Sequence, residues 1–210
     1  MNKIRVGIVE DDPGWMKAMT SFIDKQDDMM VAGKAVSKDE AIRMAQDVSL
    51  DVILMDINLH ENKRDGIIAA LEILEKHNTK IIMLTSMNDE EIIKDSFAAG
   101  AVNYVYKEDH HKIPEIIRSV LIENSPMNVL LKEYSRLKKE EQISELTPAE
   151  KEVYRLLEQG YSRSEIEKKL DKSQNTIKSQ IKGILDKLNA KSTKEAILKV
   201  HKKLIKGKDS

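Results

Sequence analysis

Three short apolar runs in this chain of 210 residues each end on charged residues. Ile4–Val9 runs into Glu10, Asp11 and Asp12, Val52–Met55 into Asp56, and Tyr104–Tyr106 into Lys107. Set side by side as parallel strands, they bring carboxylates from two strands and an ammonium from a third into one crevice. That crevice lies outside the carboxyl ends of the strands, where open α/β sheets bind ligands. Clustered carboxylates repel one another unless a cation lies between them, so the group reads as a divalent-metal site with a lysine on its rim. Asp56 is the candidate nucleophile, since a carboxylate can attack a phosphoryl group and form an acyl phosphate. The incoming group is negative, as are Glu10 and Asp11, so Mg²⁺ is needed to offset the repulsion; it prefers oxygen ligands and keeps several waters. Lys107 offers a point charge to one phosphate oxygen. Thr85, which follows Ile81–Leu84, offers a hydroxyl to another.

These residues need a sheet to hold them. The first 123 residues alternate strand-like runs (Ile4–Val9, Met30–Ala35, Val52–Met55, Ile81–Leu84, Asn103–Tyr106) with helix-like ones (Gly14–Lys25, Lys38–Gln46, Gly66–His77, Glu90–Ala99, Lys112–Glu123). The expected fold class is α/β, a doubly wound five-stranded parallel sheet covered on both faces, with right-handed crossovers. Trp15, the only tryptophan, is expected beside the crevice, and His110-His111 at the opening of a helix.

The acidic pattern resembles a receiver domain of a two-component response regulator, a flavodoxin-like fold. By that resemblance Asp11 is the main metal-ligand carboxylate with Glu10 beside it, and Asn58 offers its backbone carbonyl to the metal. Asp56 is the phosphoacceptor and Lys107 the phosphate-binding lysine. Thr85 and Tyr104 form the switch that reports phosphorylation to the outer surface. Departures from the pattern are visible. His60 takes a frequent proline position, Glu61–Asp65 lengthens the loop so that Gly66 arrives late, Glu108 follows Lys107 in place of proline, and Asp12 makes the rim more acidic. Asn58 and Met87 stand where such domains tune water attack on the acyl phosphate. Methionine cannot position water, so slow self-hydrolysis is expected.

The bulk numbers divide the chain. Residues 147–210 hold sixteen Lys and Arg against nine Asp and Glu, a balance of +7, while the rest balances to −8. An acidic half joined to a basic half suggests two jobs, the second on a polyanion. Cysteine is absent, which excludes a disulfide framework and a thiolate nucleophile. No run is long and apolar enough to cross a bilayer, so a cytoplasmic protein without a membrane partner is the simplest expectation.

The basic half reads as all helix. Thr147-Pro148-Ala149-Glu150, Ser162-Arg163-Ser164-Glu165 and Ser192-Thr193-Lys194-Glu195 each place a hydroxyl at the N-cap and Glu at N3. Ser173 caps a further helix, Gln174–Leu188, joined by a tight turn to Ser162–Leu170 as in a helix-turn-helix. Lys178 and Lys182 are four apart and share a face suited to the DNA major groove. Lys172 and Lys187 belong to the same basic cluster, and Lys168 and Lys169 are placed to neutralise backbone phosphates. The segments Leu146–Glu150, Ser173–Lys178 and Lys187–Asn189 resemble the LuxR-type DNA-binding domain. By that resemblance Lys178, Ser179 and Lys182 face bases, Thr176 with its neighbours Ser173 and Asn175 holds phosphates, and the last helix, Ser192–Leu204, pairs two copies. Gln180 stands where histidine is usual. Glu167 replaces a small residue and is expected to stay wet through a slight helix rotation.

The expected organisation is a receiver over 1–124, a partly helical linker over 125–145 and a helix-turn-helix domain over 146–210. The whole resembles a NarL/FixJ-type response regulator. It implies a transcription regulator of double-stranded DNA, phosphorylated on Asp56 by a sensor histidine kinase, whose phosphorylation promotes homodimer formation and DNA binding. It is not an enzyme beyond accepting, and releasing, that phosphoryl group. One alternative is a regulator that works without phosphorylation. Another is a Mg²⁺-dependent aspartyl-phosphate phosphatase, disfavoured because Asn58 stands where such enzymes carry a second Asp.

Overall fold

A computed structural model describes residues 3–59, 64–86, 88–122 and 125–205. The chain divides into two compact units, Met1–Ser135 and Arg136–Ser210. In the first, strands β1 (Ile4–Val9), β2 (Met29–Ala35), β3 (Val52–Asp56), β4 (Lys80–Thr85) and β5 (Asn103–Tyr106) alternate with helices α1 (Pro13–Asp24), α2 (Lys38–Asp47), α3 (Asp65–Leu74), α4 (Glu90–Ala98) and α5 (Ile113–Val120). The strands form one sheet in the order β2-β1-β3-β4-β5, parallel at every pairing. Parallel strands need both faces covered, and β3, at the centre, is buried along its whole length.

Alternate residues of the strands define one face of this core. Val6, Ile8, Val52, Leu54, Ile82, Leu84 and Val105 pack with Met16, Met19 and Ile23 of α1 and with Ile113, Ile117 and Val120 of α5. Each such aliphatic side chain contributes roughly 1.5–3 kcal/mol by leaving water. The core therefore fixes strand register, and register fixes which residues emerge at the carboxyl ends. Asp56 pairs with Leu84 in the β3–β4 ladder, and Thr85 with Tyr106 in the β4–β5 ladder.

Helix starts follow local chemistry. The Asp12 side chain caps α1 by accepting from Trp15 N at 2.6 Å, and Pro13 occupies the first turn, where no N–H is needed. Ser37 and Asp89 cap α2 and α4. His110 and His111 lie in a 3₁₀ turn, Lys107–Lys112, that precedes α5.

The second unit is helical. Helix α6 (Pro126–Gln142) ends in it, followed by α7 (Pro148–Glu158), α8 (Arg163–Leu170), α9 (Gln174–Lys187) and α10 (Thr193–Ile205). Thr147–Glu150 and Ser162–Glu165 form reciprocal capping boxes at α7 and α8. The turn from α8 to α9 passes through Asp171 at φ 50°, a left-handed conformation that a short polar side chain tolerates. Ile177, Ile181 and Ile184 of α9 pack with Val153, Leu156, Ile166, Ala196 and Val200 in a separate core.

Candidate functional site

The carboxyl ends of β1, β3, β4 and β5 bring the expected crevice residues together. Glu10 follows β1, Asp56 and Thr85 end β3 and β4, and Lys107 follows β5. Ligand oxygens of Glu10, Asp11 and Asp56 all lie within 4.8 Å of one another. Glu10, Asp56 and Thr85 are buried, at 1%, 4% and 0% exposure, while Asp11 is half-buried. Lys107 Nζ sits 2.6 Å from Glu10 Oε2 and 2.9 Å from Asp56 Oδ2.

Electrostatics show how tightly the group is balanced. Burial pushes the Glu10 carboxyl up to about 7; the hydrogen bond from Lys107 opposes the rise, and the Asp56 charge adds to it. Burial works against the Lys107 ammonium, yet its bonds to Glu10 and Asp56 outweigh that and hold its pKa above the ordinary lysine value. One lysine thus offsets two buried carboxylates, with Asp11 beside them. A second cation would complete the balance.

The donor set fits Mg²⁺. It is all oxygen, three carboxylates converge, and the buried Asn58 Oδ1 has no hydrogen-bond partner among the described residues. Asn58 is also tied to the site through its N–H, which donates to Asp56 Oδ1 at 3.3 Å. Thr85 and Tyr104 are joined by a side-chain hydrogen bond, and burial raises the Tyr104 phenol against that bond. The second tyrosine of β5, Tyr106, donates to Asn88 Oδ1 at 2.9 Å. His60–Lys63 and Met87, singled out above, lie outside the described residues.

Other contacts at the crevice are absent from any sequence pattern. Gly66 packs so close to β3 that a Cβ there would stand 1.9 Å from the Asp56 carbonyl oxygen. Asp12 spends its side chain on the α1 cap as well as adding charge at the rim. Arg64, just before α3, pairs with the buried Asp95 of α4, tying the loop after Asp56 to α4. The Trp15 ring lies 4.8 Å from Lys107 Nζ. Trp15 thus lies beside the crevice as expected, and its particular partner there, Lys107, is what the structure adds.

The basic face lies in the second unit. Lys168, Lys169, Ser173, Asn175, Thr176, Lys178, Ser179 and Lys182 are all exposed. Ser173 Oγ caps α9 by accepting from Thr176 N at 3.2 Å, and the two hydroxyls lie 2.9 Å apart. Lys169 reaches the Tyr161 hydroxyl at 2.8 Å. Two lysines of the expected cluster are held by acids: Lys172 by Glu152 at 3.1 Å and Lys187 by Glu150 at 2.6 Å. Glu150 approaches α9 where Gly183 leaves room; a Cβ there would meet its Oε1 at 2.4 Å. Burial opposes the Glu150 charge, but Lys187 and the Thr147 donors outweigh it and lower its pKa. Glu167 is half-buried on α8.

Residues 6–129 match the response regulator receiver domain family. The chain belongs to that family. Residues 144–200 of this response regulator match the bacterial regulatory proteins of the luxR family. The chain is 30% identical over 204 residues to the transcriptional regulatory protein YdfI of Bacillus subtilis strain 168, covering 94% of each chain. It is 30% identical over 200 residues to the response regulator protein VraR of Staphylococcus aureus strain Mu3, covering 93% of this chain and 95% of that one. Among solved structures, the response regulator domain of Thermotoga maritima CheB matches 59% of this chain and all of its own, with TM-score 0.55 and 29% identity. A two-component response regulator RcsB–DNA complex shares the fold over 95% of this chain and 98% of that one, with TM-score 0.52 and 23% identity. A receiver domain joined to a luxR-type helix-turn-helix makes the response regulator a DNA-binding transcription regulator of a two-component system. Receiver domains generally hold Mg²⁺ in an acidic pocket, and the acidic cluster of this response regulator occupies the corresponding strand ends. Among the described residues no helix is long and apolar enough to cross a membrane.

Proposed function

We propose that this response regulator is switched by phosphorylation of Asp56 by a sensor histidine kinase. The observation that supports this most is the convergence of Glu10, Asp11 and Asp56 with Lys107 at one end of the sheet. An Asp56 carboxylate oxygen forms a bond to phosphorus as the phosphorus–nitrogen bond of the donor's phosphohistidine breaks. Glu10, Asp11, Asp56 and the Asn58 backbone carbonyl would hold Mg²⁺, which supplies the positive charge that lets a phosphate approach three acids. Lys107 exchanges its Asp56 partner for a phosphoryl oxygen. Thr85 turns its hydroxyl from Tyr104 to another, and Tyr104 follows inward. The new group carries roughly −1.5 to −2 charges, which shifts a pre-existing equilibrium.

In the same reading, residues 1–124 form the receiver, 125–145 the linker and 146–210 the DNA-binding domain. Phosphorylation favours a homodimer, in which two α9 helices read related half-sites of double-stranded DNA. Lys178, Ser179 and Lys182 address bases, while Lys168, Lys169, Ser173, Asn175 and Thr176 address phosphates. The setting is the cytoplasm. Sedimentation and DNA shift of the intact chain, with and without beryllofluoride and Mg²⁺, test this proposal. A heavier species and tighter binding are expected with the mimic; identical mass and affinity would contradict it.

A further inference from the structure

Lys107 is held on three sides. Two are ionic, Glu10 Oε2 at 2.6 Å and Asp56 Oδ2 at 2.9 Å; the third is the face of Trp15, with the ring centroid 4.8 Å from Nζ. Trp15 is itself fixed. Its backbone N–H donates to Asp12 Oδ1 at 2.6 Å in the first turn of α1, and its half-buried ring packs against the sheet core. A lysine side chain is a charge on a flexible four-carbon stem and stays where its contacts hold it.

We propose that Trp15 is a positioning residue for Lys107, keeping the ammonium over the Asp56 carboxylate while both ionic contacts are exchanged. This rests on the reading of Asp56 as phosphoacceptor. In that chemistry one Asp56 oxygen becomes bonded to phosphorus, and Glu10 would be shared with a metal cation, so each ionic partner of Lys107 would weaken at the step where its position matters. The indole face changes in neither event. Attraction of an ammonium to a tryptophan face is strongest where water is scarce, and the Lys107 side chain is only 16% exposed. If Trp15 were packing alone, a large aliphatic side chain would replace it without consequence for Lys107.

The test uses the intact chain and two readouts. In the metal-free protein, NMR should find the Lys107 ε-methylene protons shifted upfield by the indole ring current, and the shift should vanish in Trp15→Leu. In labelling by phosphoramidate, Trp15→Leu should be roughly three- to tenfold slower than wild type at every Mg²⁺ concentration, with the Mg²⁺ half-point unmoved. Trp15→Phe, which restores a ring face, should recover to within about twofold of wild type. An absent upfield shift in wild type, equal rates for wild type and Trp15→Leu, or a Phe variant as slow as the Leu variant would each overturn the proposal. Failure of wild type itself to label on Asp56, with the shift intact, would instead remove the phosphoacceptor reading and this inference with it.

Discussion

At the level of single residues, the crevice depends on atoms that leave no room for change. Gly66 is the clearest case, since a Cβ there would stand 1.9 Å from the Asp56 carbonyl oxygen. Backbone cannot yield as a side-chain tip does, so Gly66→Ala must displace the start of α3 or the end of β3. We expect a loss of about 1–3 kcal/mol or more in stability, read by denaturant unfolding, together with weaker Mg²⁺ binding. An unchanged midpoint would mean that α3 is not seated against Asp56. The sequence showed Gly66 only as a glycine arriving late after Asp56. Glu10, Asp11, Asp56, Thr85 and Lys107 were legible because each follows or ends an apolar run, and a run's end is a local signal. Trp15 over Lys107 and Arg64 against Asp95 were not, because each joins residues from distant segments whose meeting depends on the finished sheet.

Among the elements, the strands came out as the apolar runs implied, and helix ends deviated where backbone bonding tightened. Gly66–His77 was expected as one helix; α3 ends at Leu74, and Lys76 and His77 both donate to the Ile73 carbonyl in a closing turn. Of the expected Lys112–Glu123, Lys112 falls in the 3₁₀ turn Lys107–Lys112 and α5 ends at Val120, where the Ile122 N–H donates to the Ser119 carbonyl in a closing turn, while Glu123 lies outside the described residues. In the second unit, Glu158 at the end of α7 gathers Lys139 of α6 at 2.7 Å and His201 of α10 at 3.0 Å. Burial opposes the Glu158 charge, but His201 and Lys139 outweigh it and hold its pKa below the ordinary carboxylate value. A lowered folded-state pKa stabilises above the unfolded value, about 4.5, and that contribution is lost as pH falls through the folded value. The α7 and α10 amides of wild type should therefore lose stability on acidification below about pH 4.5. Glu158→Gln should show a shallower loss by NMR-detected denaturation. Equal acid sensitivity of the two proteins would show that the node does not hold these helices.

At the scale of the whole molecule, an acidic unit that can take on more negative charge is joined to one carrying a surplus of lysine. Eight exposed residues on or beside α8 and α9 make up the proposed DNA-contacting face, whereas Lys172 and Lys187 are engaged by Glu152 and Glu150. Lys168→Ala/Lys169→Ala should leave folding intact, because both side chains are exposed. It should weaken DNA binding and make its dependence on log salt shallower by roughly 1 per lysine in each copy. A slope identical to wild type would place the DNA elsewhere. In the proposed mechanism every step of control begins at one carboxylate. The most direct measurement is mass analysis of the intact chain and its peptides after incubation with a small phosphodonor and Mg²⁺. One phosphoryl group on the peptide holding Asp56, lost in Asp56→Asn and without added Mg²⁺, is the result expected. Equal labelling of wild type and Asp56→Asn would contradict it.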